Sequence, residues 1–145
     1  MKAKRIGVDF DGTLADSEFA WRFYLRTKNM FLTQLLSLFA KPKIKKIHTK
    51  FVVITSRRKQ DAWCTYLWLW LHGFSPKVYF TEVAYLDNPL GSYKAKADLI
   101  VSLDLDVYIE DDMKFVDYFL DKYGDKYRVN LFNDLFFIFK KGGKE

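Results

Sequence analysis

Two aspartates one residue apart, Asp9 and Asp11, close the first apolar run of the chain, Arg5-Ile6-Gly7-Val8-Asp9-Phe10-Asp11-Gly12-Thr13-Leu14. Alternate residues of a strand point to one face, so the two carboxylates converge if the extended geometry persists. Like charges that close are costly unless a cation or a shared proton relieves them, and this predicts a metal site. Asp11-Gly12 also reads as a hairpin turn. Three later stretches supply what a site would still lack. Residues 51–55, Phe-Val-Val-Ile-Thr, end in the hydroxyl of Thr55 and lead into Ser56. Lys94 and Lys96 fall near the start of a helical pattern, and residues 107–112, Val-Tyr-Ile-Glu-Asp-Asp, end in Glu110, Asp111 and Asp112.

The first stretch resembles motif I of the haloacid dehalogenase (HAD) superfamily, Asp-x-Asp-Gly-Thr-Leu. The resemblance implies that Asp9 is a nucleophile and Asp11 a general acid/base. Thr55 then matches the motif II hydroxyl that binds phosphate, with Ser56 as the alternative. A motif III lysine steadies the charge around nucleophile and phosphate. Lys96 fits this place better than Lys94, because apolar Leu99 and Ile100 follow it at helical spacing. The acids at 110–112 resemble motif IV, which implies Asp111 as a magnesium ligand beside Asp9 and Asp11, with Glu110 as a ligand directly or through water. Asp112 is also a natural cap for the helix that follows. Dehalogenases of the family lack the second Asp, so Asp11 favours phosphoryl transfer over carbon–halogen cleavage.

Composition bounds the remaining classes. The chain has 145 residues, half of them hydrophobic and 19% aromatic, which fits one domain with a sizeable core and excludes a disordered chain. One cysteine, Cys64, excludes an internal disulfide framework and agrees with a reducing cytoplasm. The opening Met-Lys-Ala-Lys-Arg runs straight into a strand, unlike a secretory leader. A net charge of +6 suits anionic partners or simple solubility.

The elements that must position these residues alternate. Residues 16–40 read as mostly helical, with apolar blocks around Trp21 and Tyr24 and again over 30–40, before Lys41-Pro42-Lys43-Ile44-Lys45-Lys46 breaks the pattern. The second block is too short to span a membrane. The resemblance implies a small cap over the site here, whereas the residues alone read as a core helix or as a membrane-surface helix with a basic flank. Residues 60–74 read as a helix with Trp63, Leu67, Trp70 and Leu71 on one face, taken as a core face, and His72-Gly73 at its end. Residues 77–80 form a strand, 81–93 a turn-rich loop, and a helix opens at Tyr93. Tyr127–Phe132 reads as a fifth strand and Leu135–Lys140 as a short edge strand.

Together these readings predict an α/β fold: a Rossmann-like core with a mostly parallel five-stranded sheet, helices on both faces, and a small helical cap at about residues 16–46. The whole chain would be one HAD-like domain. The implied activity is a magnesium-dependent phosphatase acting on a phosphomonoester through an aspartyl-phosphate, with nucleotides among the candidate substrates. The alternatives are a non-catalytic protein on the same scaffold, or a nucleic-acid end-processing enzyme docking through residues 41–50.

Overall fold

The computed structural model describes residues 4–142. In chain order the elements are β1 (Ile6–Asp9), β2 (Ala15–Asp16), α1 (Glu18–Thr27), α2 (Met30–Ser37), β3 (Lys41–Pro42), β4 (Phe51–Thr55), α3 (Ala62–Leu71), β5 (Lys77–Phe80), α4 (Pro89–Ser102), β6 (Val107–Glu110), α5 (Met113–Tyr123), β7 (Tyr127–Phe132) and β8 (Leu135–Lys140). A single 3-10 turn, Lys59–Asp61, precedes α3. No helix among the described residues is long and apolar enough to cross a membrane.

The apolar runs lacking polar alternation become the parallel half of one six-stranded sheet, ordered β5-β4-β1-β6-β8-β7. β1 pairs in parallel with β4 and β6, with Val8 level with both Val53 and Ile109. The chain moves outward from β1 through β4 to β5, then returns to β6 on the other side of β1. That reversal is a topological switch point, where such sheets open a crevice at the carboxyl ends of their strands.

Successive residues of a strand face opposite ways, so the sheet builds two cores. Val8, Val53, Val107 and Ile109 join Phe10, Trp68 and Leu69 on the face covered by α3. Ile54, Tyr108 and Ile138 join Ile100, Phe115 and Phe119 on the face covered by α4 and α5. Trp68 holds the first core together: its ring meets Phe10 edge-on at 5.1 Å and stacks on His72 at 4.1 Å, and its Nε1 donates to the Ala40 carbonyl at 2.9 Å.

Four expectations are corrected. The sheet has six strands and not five, because β7 and β8 form a hairpin through Asn133 and Asp134, both at positive φ. That two-residue turn matches the twist of the strands. β8 is also not an edge strand. It lies between β6 and β7, where Leu135 and Ile138 reach the two cores, and β7 takes the edge with Tyr127 buried at its start. α4 begins at Pro89 and not at Tyr93: Asn88 caps it by accepting from the Gly91 N–H at 3.0 Å, and proline suits the first helical position. The apolar face of α3 is the fourth. Cys64, Thr65, Trp68 and Leu69 are buried, whereas Trp63, Trp70 and Leu71 are exposed and Leu67 is half-buried. Apolar residues surround this helix, so their spacing alone does not identify the inner side.

The region 16–46 is a helical hairpin on a stalk. β2 and β3 pair antiparallel at its base, and α1 turns into α2 at Lys28, which is left-handed, and Asn29, whose side chain accepts from the Leu32 N–H at 3.1 Å.

Trp68→Phe is expected to cost about 1–3 kcal/mol, because it leaves a gap between Phe10 and His72 and strips the Ala40 carbonyl of its donor. Urea denaturation at unchanged slope checks this; a loss below about 0.5 kcal/mol would mean that the ring is not the organising contact.

Candidate active site

Three neighbouring parallel strands end in polar side chains. Asp9 ends β1, Thr55 ends β4 and Glu110 ends β6. Asp111 follows β6 directly, and Asp9, Glu110 and Asp111 bring one carboxylate oxygen each within 4.8 Å of one another. Asp9 and Glu110 are buried and Asp111 is half-buried. Lys96 reaches this group from the buried face of α4, donating to Glu110 Oε1 at 2.9 Å and to Asp9 Oδ1 at 3.3 Å. Lys94 is exposed.

The three acids are not equivalent. Glu110 is already satisfied: Lys96 and the Tyr108 hydroxyl donate to Oε1, and the Asp111 and Asp112 N–H groups donate to Oε2. It acts as an anchor for Lys96 and for the turn after β6. Asp9 and Asp111 share one modest donor, the Thr13 hydroxyl, at 3.1 and 3.0 Å. Asp111 Oδ2 takes no hydrogen bond among the described residues and lies against Gly12, where any Cβ would overlap it. Gly12 has φ +78°, a second reason for glycine there.

This crowding pushes the acids toward protonation. Burial raises the Asp9 pKa well above the usual carboxylate range, and the Glu110 charge adds to it against the pull of Lys96. Burial, then the Asp9 charge, pushes Asp111 up to about 6. Burial also raises Glu110, while Lys96 is held protonated because Asp9 and Glu110 outweigh its own desolvation. Three acids facing one ammonium suit a hard divalent cation. Asp9 and Asp111 have the free lone pairs, and magnesium is commonly held by one or two carboxylates with phosphate and water completing the shell.

Asp11 stands apart from this cluster. Its side chain makes a two-pronged pair with Arg57, Nη2 to Oδ1 at 2.7 Å and Nε to Oδ2 at 2.8 Å, and accepts from the Ser17 hydroxyl at 2.7 Å. Burial would raise its pKa, but the Arg57 guanidinium outweighs this and lowers it. Arg57 is itself buried. Its Nη1 donates to Gln34 Oε1 at 2.9 Å and its Cζ lies 4.6 Å from the Phe10 ring centre. Its site role was not assigned from the sequence. The visible signal was two arginines directly after the Thr55–Ser56 strand end. Thr13 and Gln34 also lay unmarked, since a lone hydroxyl or amide carries no pattern.

Thr55 is buried and its Oγ1 accepts from the Arg57 N–H at 3.2 Å; Ser56 Oγ accepts from the Ser92 hydroxyl at 2.7 Å. Asp112 caps α5, accepting from the Lys114 N–H at 2.9 Å, and takes the Tyr93 hydroxyl at 2.7 Å. Asp9, Asp11, Thr55, Ser56, Arg57, Lys96 and the acids at 110–112 all line one cleft of about 690 Å³. Trp21, Tyr24 and Met30 from α1 and α2 form one wall, and Tyr85, Leu86 and Met113 the other. Trp21 and Tyr24 meet edge-on at 6.1 Å, and Trp21 Nε1 is buried with no hydrogen-bond partner. Comparison of the chain with family models, with curated proteins and with solved structures finds no match.

Asp111→Asn tests the crowding. A carboxyl whose folded pKa is raised holds its proton to higher pH than the unfolded chain does. Stability from this group therefore falls as pH rises from the ordinary value of 3.8 to about 6, and stays low above. In chelator, the variant is expected to be about 1 kcal/mol more stable than the parent near pH 7, after allowance for screening, and to converge with it near pH 4. Thermal melts at both pH values check this, and a variant less stable near pH 7 contradicts it.

Proposed function

We propose that the chain is a magnesium-dependent phosphomonoester hydrolase of the haloacid dehalogenase type, working through an aspartyl-phosphate on Asp9. One observation carries the reading: a buried carboxylate at the end of the central strand, between Lys96 and Asp111, at the floor of a cleft large enough for a small phosphorylated molecule.

Asp9 and Asp111 would hold the magnesium ion, which when bound would neutralise charge between carboxylate and phosphoryl oxygens. Asp9 would attack phosphorus as the ester bond breaks, leaving the phosphoryl group on its carboxylate. Lys96, fixed by Glu110, would balance the charge that builds on the phosphoryl oxygens, with Thr55 as a further donor. Asp11 would protonate the departing oxygen, then take a proton from the water that releases phosphate. As paired with Arg57, Asp11 is an anion with no proton to give. The first half-reaction therefore requires this pair to loosen and Asp11 to take up a proton from solvent, and a dianionic phosphate entering the cleft is a competing partner for the guanidinium. The second half-reaction uses Asp11 in its paired, ionised form.

The walls around Trp21, Tyr24 and Tyr85 support a planar leaving group, which makes nucleoside monophosphates the first substrates to screen.

Asp9→Asn is expected to abolish phosphatase turnover while retaining the fold, since the amide cannot attack. A phosphatase panel with magnesium checks this, and a variant with parental rate removes Asp9 as nucleophile. Magnesium is expected to raise the melting temperature of the parent, by about 2–3 kcal/mol of stability at a hundredfold excess over Kd, and to have little effect on Asp111→Asn. Arg57→Ala is expected to lower kcat more than tenfold, since it removes the partner that keeps Asp11 ionised and placed for the second half-reaction and leaves Gln34 without its donor. Unchanged kcat would make the Arg57–Asp11 pair purely structural.

A further inference from the structure

The sequence of α3, Ala-Trp-Cys-Thr-Tyr-Leu-Trp-Leu-Trp-Leu, contains no charged residue. A helix apolar all round is normally covered all round. Its inner side packs on the sheet, but Trp63, Tyr66 and Trp70 recur at helical spacing on its outer side, and Trp70 is 73% exposed. α2 runs beside it in the same direction. The Cys64 thiol donates to the Gln34 carbonyl at 2.9 Å, and Trp68 Nε1 to the Ala40 carbonyl, six residues further along. α2 widens the outer face: the Phe31 ring lies 6.4 Å from that of Trp63, and Phe39 just beyond the helix is 79% exposed.

Charge is arranged around this face and not within it. Residues 19–60 contain no Asp or Glu. The lysines at 41, 43, 45, 46 and 50 follow directly after Phe39, and all are exposed. Ile44 and Ile47 pack against the core that contains Trp68 and Leu69, so the lysine run is anchored on the same core that α3 covers. Of the five, Lys43 donates to the Gly12 carbonyl at 2.9 Å, which leaves Lys41, Lys45, Lys46 and Lys50 for the rim.

Three occupants can be weighed. A second copy joined through the same face would bring two lysine rims together, and like charges oppose that pairing. Single-stranded nucleic acid is held by aromatic residues interleaved with cations along a groove, whereas no cation lies between Trp63 and Leu71. An anionic bilayer surface meets both demands at once. Its acyl boundary takes apolar side chains, with tryptophan at the interface, and its headgroups take a lysine rim. We propose that the outer face of α2 and α3, bordered by the lysines of residues 41–50, docks in the plane of an anionic lipid bilayer. This inference is independent of the hydrolase reading.

The test is sedimentation of the full chain with two kinds of vesicle: phosphatidylcholine alone, and phosphatidylcholine with roughly one third phosphatidylserine. The chain is expected to pellet with the anionic vesicles only, with a blue shift in tryptophan fluorescence, and to be released by about 0.5 M salt. Trp70→Ser and the double variant Lys45→Glu/Lys46→Glu are each expected to lower partitioning at least about fivefold. Both should keep the parental melting temperature, because the replaced side chains are exposed. The proposal is overturned by failure to pellet, by equal pelleting with both vesicles, or by unchanged partitioning of Trp70→Ser. It is also overturned if a single-stranded oligonucleotide binds more tightly than the vesicles and displaces them, or if the chain is a dimer that Trp70→Ser dissolves.

Discussion

Asp9, Glu110 and Asp111 repel one another in a space where Lys96 supplies the one compensating charge among their described neighbours. Strand pairing imposes this. β1 and β6 are adjacent and parallel, so the groups at their carboxyl ends cannot separate without breaking the sheet. Helix α4 has to bring Lys96 across to them, and it buries Lys96 beside Ser92, Tyr93, Ala97 and Ile100 to do so. Glu110 gives up all of its acceptor capacity to fix that lysine and the turn after β6. What is left is a pair of carboxylates, Asp9 and Asp111, under-supplied with donors and raised in pKa by burial first, then by the Glu110 charge at Asp9 and by the Asp9 charge at Asp111. An unbalanced buried charge is a stability cost unless a ligand relieves it, and perturbed acids in a cleft mark sites of function more often than sites of structure.

A second charge pair is kept away from the first. Asp11 turns from the cluster to Arg57, and its pKa falls where that of Asp9 rises. Two carboxylates two residues apart thus have opposed proton affinities, which is how neighbouring acids take different roles. The separation depends on the residue between them. Phe10 is buried against Trp68 and presents its ring to Arg57, so the backbone is fixed while the flanking side chains diverge. The Ser17 hydroxyl makes no bond to the helix it precedes and donates to Asp11 instead. The start of the α1–α2 hairpin is in this way tied to the acid.

That hairpin has two apolar sides with different neighbours. Trp21, Tyr24 and Met30 border the cleft, and Phe31 borders α3. A stalk of two short strands sets its position, reinforced where Lys43 Nζ donates to the Gly12 carbonyl at 2.9 Å. The hairpin therefore links the cleft to the exposed α2–α3 face.

Much of this was legible in the residues. Uninterrupted apolar runs ending at Asp9, Thr55 and Glu110 indicated parallel strands with polar groups at one edge, because a strand buried on both faces leaves only its ends for chemistry. Asp112 as a helix cap was legible for the same local reason. Positions that depend on what lies opposite were not. Lys94 and Lys96 are two residues apart on one helix, and only the packing of α4 sends one to the acids and the other to solvent. Trp63 and Trp68 belong to one apolar stretch, and only the sheet beneath α3 decides which of them is core. β8 displaced β7 from its expected place because pairing with β6 is a long-range choice. The Asp11–Arg57 pair joins residues 46 apart, and no local spacing encodes it. The sequence by itself determined which residue types end each strand. The tertiary structure decided which charges face one another, since Coulomb energy depends on distance and burial, and both are set by packing.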